Sequence, residues 1–292
     1  MSKNNKSVSL ILGSGGARGL AHIGIIQELE KNGYVIKSIS GCSMGALIGG
    51  IYAIGKLDEF EEWIRTLSKQ DIFSLLDLSL QKSGLIKGDK IIATLRNLVG
   101  ETLIENLPIP FTAVAADIEA EKEIWLNKGP LFDAIRASIS LPLFFTPFNH
   151  NGVLLVDGGV LNPVPIAPAF NDHTDLKIAV NLGGPVLKVK KDVPVIESVD
   201  SQSFLHKQVS LFIDSLRADS DSTLGIDWGM YDVANQSFDA MQSTIARQKL
   251  AAYPPDILLE IARNACGTLE FDRAEEMIEL GRETARRSLA NR

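Results

Sequence analysis

Gly41-Cys42-Ser43-Met44-Gly45 sets a serine in the pattern G-x-S-x-G. The chemistry such a pattern serves is acyl transfer by an activated hydroxyl. A serine on a sharp strand-to-helix turn is lifted clear of the backbone. Glycines at its flanks let neighbouring elements approach the strained residue, and the following helix points its positive end at the reacting carbonyl. The pentapeptide also describes an ordinary glycine-rich turn, so its weight rests on the elements around it. Cys42 is a second nucleophile to weigh. Its place inside the turn predicts a buried structural thiol instead.

Gly13-Ser14-Gly15-Gly16-Ala17-Arg18-Gly19 is a second glycine-rich turn. A dinucleotide fingerprint fails there, because Arg18 stands where its third glycine is required and no acidic residue ends the next predicted strand. A phosphate loop fails too, since the one Gly-Lys pair, Gly55-Lys56, is followed by leucine. Consecutive glycines also expose backbone N–H groups toward a developing negative charge, which acyl transfer at Ser43 requires. Taken by itself the segment reads as a tight turn.

Leu155-Val156-Asp157-Gly158-Gly159 is the third candidate. A short apolar strand delivers an aspartate to the sheet rim, where groups from other strands converge. Asp-Gly-Gly is also common turn chemistry. A Ser-acid-His triad needs a histidine after the acid. Of the four histidines, His22, His150, His173 and His206, only the last two follow Asp157. His173 lies in the polar run Asn171-Asp172-His173-Thr174-Asp175, which reads first as a solvated turn and second as a triad position. The sequence contains no HExxH zinc motif, and Asp219–Gly225 departs from a calcium loop, with glycine one place late and Met230 at the twelfth position. No metal or cofactor is expected.

These residues need particular elements to hold them. Val8–Leu12 is an apolar run ending at glycine, a buried strand. Leu20–Lys31 has helical spacing with Asn32-Gly33 as its stop. Tyr34–Ser40 reads as a strand, Gly41–Gly45 as a turn and Ala46–Ile54 as a buried helix. This β-turn-α order, given twice, predicts an α/β fold with a central, mostly parallel sheet flanked by helices. Further on, the spacing predicts helices over Leu57–Lys69, Asp89–Val99 and Pro130–Ser138, and strands over Phe111–Ala116, Glu123–Leu126, Val153–Val156 and Lys177–Leu182. Phe73–Gln81 is leucine-rich and ambiguous, a buried helix or a lid. A final helix is expected from about Asp272, acidic early and basic late as the helix dipole favours.

The chain has 292 residues, a net charge of −7, 45% hydrophobic and 22% charged residues. That composition predicts a globular protein with a large core. The negative balance argues against nucleic acid as a partner and against membrane docking by bulk charge. Two cysteines without a CxxC argue against a disulfide framework and fit a reducing compartment. The uncharged stretches Ser38–Gly55 and Ala137–Val156 are interrupted by glycines or by prolines and polar residues, so neither predicts a membrane span. No linker marks a boundary. One domain over 1–292 is expected, with its motifs over 8–182 and a variable loop and helical tail over 185–292. The expected location is cytoplasmic.

Gly15-Gly16-Ala17-Arg18-Gly19, Gly41-Cys42-Ser43-Met44-Gly45 and Asp157-Gly158-Gly159, in this order, resemble the patatin-like phospholipase family. Gly84-Leu85-Ile86-Lys87-Gly88, Ala115-Ala116-Asp117, Arg136-Ala137-Ser138 and Asn162-Pro163-Val164-Pro165 match its bacterial branch as well. The resemblance runs from Val8 to Leu182, weakens over 185–250 and returns at Pro255–Leu258. It implies one α/β domain that hydrolyses fatty-acyl esters with a Ser–Asp dyad and no histidine. Carried over, Ser43 is the nucleophile, Asp157 the base, and Gly15, Gly16 and Arg18 the oxyanion loop. Ser14 stands where many members have glycine. The expected substrate is a phospholipid, lysophospholipid or small ester, with transient contact at a membrane surface. Leu141, Leu143, Phe144 and Phe145 are candidates for the acyl pocket. Two readings compete: a Ser-His-Asp esterase using His173, and a non-catalytic regulatory protein on the same scaffold.

Overall fold

The computed structural model describes residues 5–77, 86–186 and 228–290. The end of the 73–81 segment, most of 185–201, His206 and the 219–225 acidic run lie outside the described residues.

In chain order the elements are β1 (Ser7–Leu12), α1 (Ala21–Lys31), β2 (Val35–Cys42), α2 (Met44–Ala53), α3 (Leu57–Thr66), α4 (Lys69–Leu75) and α5 (Asp89–Val99). Then come β3 (Phe111–Asp117), β4 (Lys122–Leu126), α6 (Leu131–Ser138), β5 (Phe148–His150), β6 (Val153–Asp157), β7 (Leu176–Gly184), α7 (Trp228–Ala252), β8 (Ile257–Ala262) and α8 (Ala274–Ala290). The strands form one sheet in the order β5-β6-β3-β2-β1-β7-β8, with β4 paired to β3 off that path. Strands β3, β2, β1, β7 and β8 are mutually parallel; β4, β5 and β6 join antiparallel at one end.

Strand alternation divides the core into layers. Val8, Leu10 and Leu12 of β1 enter the main core with α1, α2 and α8. Ile11 points the other way, into a smaller cluster with Val164, Ile166, Ala169, Ala179 and Ala246. The sheet is therefore covered on both faces, as a parallel sheet requires.

Among the boundaries that differ from the sequence expectation, three have a clear local cause. Strand β2 runs to Cys42 and α2 starts at Met44, so the predicted five-residue turn is a single residue, Ser43. The predicted Leu57–Lys69 helix is divided into α3 and α4 because Ser68 caps the second: its hydroxyl accepts from the Asp71 amide, and the Asp71 carboxylate accepts from the Ser68 amide. Leu20 belongs to a 3-10 turn over Gly16–Leu20 that precedes α1.

Helix α8 crosses α1 backbone to backbone. A methyl group at Gly281 would sit 2.0 Å from the Ala21 carbonyl oxygen, and one at Gly24 would sit 1.9 Å from that of Ile278. No flexible side chain can yield there. Gly281→Val should cost at least about 3 kcal/mol, the upper range for overpacking. Urea unfolding checks this: a midpoint unchanged from the parent chain would mean that the helices separate freely.

Candidate active site

The site is built where two strands meet end to end. Strand β4 occupies one edge of β3 along Ala113–Asp117. The other edge is shared: β2 pairs with Phe111–Val114 and β6 with Ala115–Asp117. Cys42 stands opposite Val114 and Asp157 opposite Ala115, adjacent places on one strand. Ser43, the residue after Cys42, is thereby delivered beside Asp157.

Ser43 makes its turn alone, with φ 55° and ψ −122°, outside the usual range for a side-chain-bearing residue. The close approach depends on Gly41 and Gly45. A methyl group at Gly41 would lie 2.4 Å from the Gly45 carbonyl oxygen, and one at Gly45 would lie 2.0 Å from that of Leu12. The strained residue sits on the N-terminus of α2, whose first amides have no partners within the helix.

Asp157 is wholly buried. Its Oδ1 accepts from the Gly159 amide at 2.7 Å, and the Cys42 Sγ lies 3.8 Å from the same oxygen. Among the described residues Oδ2 has no hydrogen-bond partner. Burial raises the carboxyl pKa from 3.8 to about 6, while the Ser43 hydroxyl, the Gly159 amide and the Cys42 thiol each pull it down. Gly158 and Gly159 leave room for this arrangement: a methyl group at Gly158 would sit 2.2 Å from the Val114 carbonyl oxygen, and one at Gly159 would sit 2.2 Å from Gln242 Nε2. Cys42 is buried, and its thiol pKa is pushed well up by burial and by the Asp157 charge, which makes a thiolate nucleophile unfavourable.

The glycine-rich loop is tied down on both sides of Gly15 and Gly16. The amides of Gly13, Ser14 and Ala17 donate to the carbonyls of Val180 (3.0 Å), Pro163 (2.8 Å) and Thr268 (2.9 Å). Gly15 and Gly16 lie between those anchors, and Gly16 shares with Ser43 the wall of one cavity. Buried His22 holds the loop from beneath through Nε2 and the Gly13 carbonyl oxygen, 2.9 Å apart. Burial lowers its pKa to about 4, so it is a neutral strut. The Arg18 guanidinium turns away: it donates to the carbonyls of Arg263 (3.0 Å) and Cys266 (3.2 Å) and approaches Asp239 at 3.5 Å. Arg18 braces the loop from behind and does not line the cavity that holds Ser43.

Among the described residues twenty line the cavity, and none of these carries a charged side chain. Its walls come from α2, α3, α4 and α5, from Leu141 and Phe145, and from Thr268 to Phe271. The expected pocket residues divide: Leu141 and Phe145 face it, Leu143 is 54% exposed, and Phe144 is buried outside its lining. Leu75 and Leu76 also line it.

His173 is a correction. It is exposed and precedes β7, at the end of the sheet opposite Ser43. Leu176 pairs with Val8, and Val8 with Ile36, seven residues before Ser43, so the separation is on the order of 20 Å at one strand rise per residue. His173 cannot complete a triad. Sequence reasoning also missed Ser138, whose Oγ accepts from the Ser43 amide at 2.9 Å. Its only trace in the sequence was the Arg136-Ala137-Ser138 triplet, and periodicity gave no reason to bring it to the serine.

The raised pKa of Asp157 implies a stability cost when it is ionised. The folded state holds the proton more tightly than the unfolded one, so the carboxylate opposes folding above about pH 6 and costs nothing well below 4. Asp157→Asn keeps the acceptor for Gly159 and removes the charge. The stability difference between variant and parent should shift in the variant's favour by about 2 kcal/mol between pH 4 and 7.5. Paired denaturant curves at the two pH values check this; a difference that does not change with pH would show that the carboxyl titrates normally.

The patatin-like phospholipase family model matches residues 10–170, a span that holds the glycine-rich loop, Ser43 and Asp157. An uncharacterized NTE family protein of Mycobacterium bovis is 39% identical, over 97% of this chain and 91% of that one. The neuropathy target esterase sws of Drosophila melanogaster is 31% identical over 184 residues, 61% of this chain but 13% of that one. Among solved structures, VipD of Legionella pneumophila covers 98% of this chain and 67% of its own at 13% identity, with a TM-score of 0.47 that carries no argument. Among the described residues no helix is long and apolar enough to cross a membrane. From the match over residues 10–170 and the 39% identity along nearly the whole chain, the protein belongs to the patatin-like phospholipase family.

Proposed function

We propose that the chain is a serine acyl-ester hydrolase that releases fatty acid from phospholipid, lysophospholipid or a related lipid ester. The observation that carries this reading is a strained serine beside a buried, partner-poor carboxylate at the wall of an apolar cavity. Asp157 takes the Ser43 proton as Oγ attacks the ester carbonyl. The carbonyl oxygen becomes an oxyanion, which the Gly15 and Gly16 amides and the N-terminus of α2 stabilise. Collapse expels the alcohol, which receives the proton from Asp157, and leaves an acyl group on Ser43. Water attacks this ester with Asp157 again as the base, and the fatty acid departs. The uncharged lining suits an acyl chain and leaves a charged head group outside. Such a substrate brings the chain to a membrane surface from the cytoplasm.

Ser43→Ala should abolish hydrolysis of a short-chain nitrophenyl ester, and Asp157→Asn should lose at least about a thousandfold in turnover, because a nucleophile and its base act as a unit. Circular dichroism establishes that both fold. A folded Ser43→Ala chain with undiminished turnover would overturn Ser43 as the nucleophile, and a folded parent chain without turnover would make the scaffold a non-catalytic one.

The pH dependence follows from the same carboxyl. Asp157 accepts a proton only when ionised, so kcat/KM should climb to a plateau through a midpoint near pH 6. At pH 5 roughly a tenth of the plateau should remain. A profile flat down to about pH 4.5 would assign the proton transfer to another group.

A further inference from the structure

We infer that Ser138 is a positioning residue that fixes the Ser43 elbow against the strand carrying the base, an inference that rests on Ser43 being the nucleophile. Ser43 and Asp157 come from strands that only abut on β3. Their separation therefore depends on what holds the elbow to β3. Ser138 is the last residue of α6 and is fully buried. Its Oγ accepts from the Ser43 amide at 2.9 Å and donates to the Val114 carbonyl oxygen at 2.6 Å. The direction is fixed: an amide and a carbonyl leave the hydroxyl one way to serve both. Val114 is the β3 residue opposite Cys42, next to the one opposite Asp157.

The same end of α6 also holds the base, since the Asp157 amide donates to the Ser140 carbonyl at 2.9 Å. Ser140 is anchored in turn, as its Oγ accepts from Arg136 at 2.6 Å and the Arg136 guanidinium donates to the carbonyl of Thr146 at 2.9 Å. Residues 138–140 thus touch both partners of the dyad through different groups. Without the Ser138 hydroxyl, the amide of a strained residue and a strand carbonyl both lose a partner where no solvent replaces it. The elbow relaxes and the Ser43 hydroxyl leaves its alignment.

The test uses the rate at which a fluorophosphonate labels Ser43, read beside kcat, KM and thermal midpoint. Ser138→Ala should slow labelling and lower kcat by about ten- to a hundredfold, with KM within about twofold, as expected when an alignment and not a binding contact is lost. Ser138→Cys keeps the size with a weaker acceptor and should fall between alanine and the parent. The midpoint of the pH profile should rise, since the Ser43 hydroxyl that draws the Asp157 pKa down has left its place beside the carboxyl. Leu29→Ala, a buried change on α1, supplies a chain of lowered thermal midpoint and should label at the parent rate. Parent-like labelling of Ser138→Ala or of Ser138→Cys overturns the inference. So does an equal loss in Leu29→Ala at a matched thermal midpoint. A parent chain that takes no label refutes the nucleophile assignment itself, which separates the two failures.

Discussion

Everything at the site follows from β3 giving one edge to two strands. A strand edge pairs with one neighbour at a time, so β2 must stop where β6 begins. Their carboxyl ends face each other across one residue step, and the chain must leave the sheet there in both cases. At β2 it leaves through Ser43, at β6 through Asp157-Gly158-Gly159. A parallel sheet alone places functional groups along its carboxyl edge at strand spacing. The antiparallel β6 brings a second carboxyl end inward and closes that gap. The strain at Ser43 and the burial of Asp157 are both consequences of this confinement, and both are destabilising features that the packing around them sustains.

The glycine-rich loop divides two environments of opposite character. On one side Gly16 faces an apolar cavity. On the other, Ser14, Arg18, Asn181, Asp239 and Gln242 surround a small polar recess. Gln242 Nε2 approaches Ser14 Oγ at 3.4 Å and crowds Gly159, so α7 packs against the loop and the Asp-Gly-Gly turn together. This gives a place to Ser14, the one departure in the loop: its hydroxyl looks into the polar recess, away from the cavity that holds Ser43.

The motifs and their order were legible because each depends on local conformation. The elbow needs Gly41 and Gly45, the loop needs consecutive glycines, and both sit between a strand and a helix that hydrophobic spacing announces. The edge sharing on β3 was not legible, since the register of strands that lie tens of residues apart leaves no periodic trace. Ser138 was hidden for the same reason: a lone serine at a helix end looks like any other. The division between α3 and α4 was in principle readable, from serine followed three residues later by aspartate, but an unbroken apolar spacing outweighed that signal. Histidine position was ambiguous in sequence because the strand direction decides which end of the sheet a loop joins, and β7 places His173 at the wrong one.

The loop that faces the reacting atoms is fastened near the start of the chain by a part made near its end. The Ala17 amide finds its acceptor at Thr268, Arg18 is capped by Arg263 and Cys266, and α1 is sealed by the crossing of Gly24 with α8. During synthesis the first helix and its preceding turn leave the ribosome long before any of these partners exist. A ribosome-bound chain that already carries Ser43 and Asp157 still lacks the clamp on its glycine-rich turn. Assembly of the site is thus deferred until the C-terminal segment folds back.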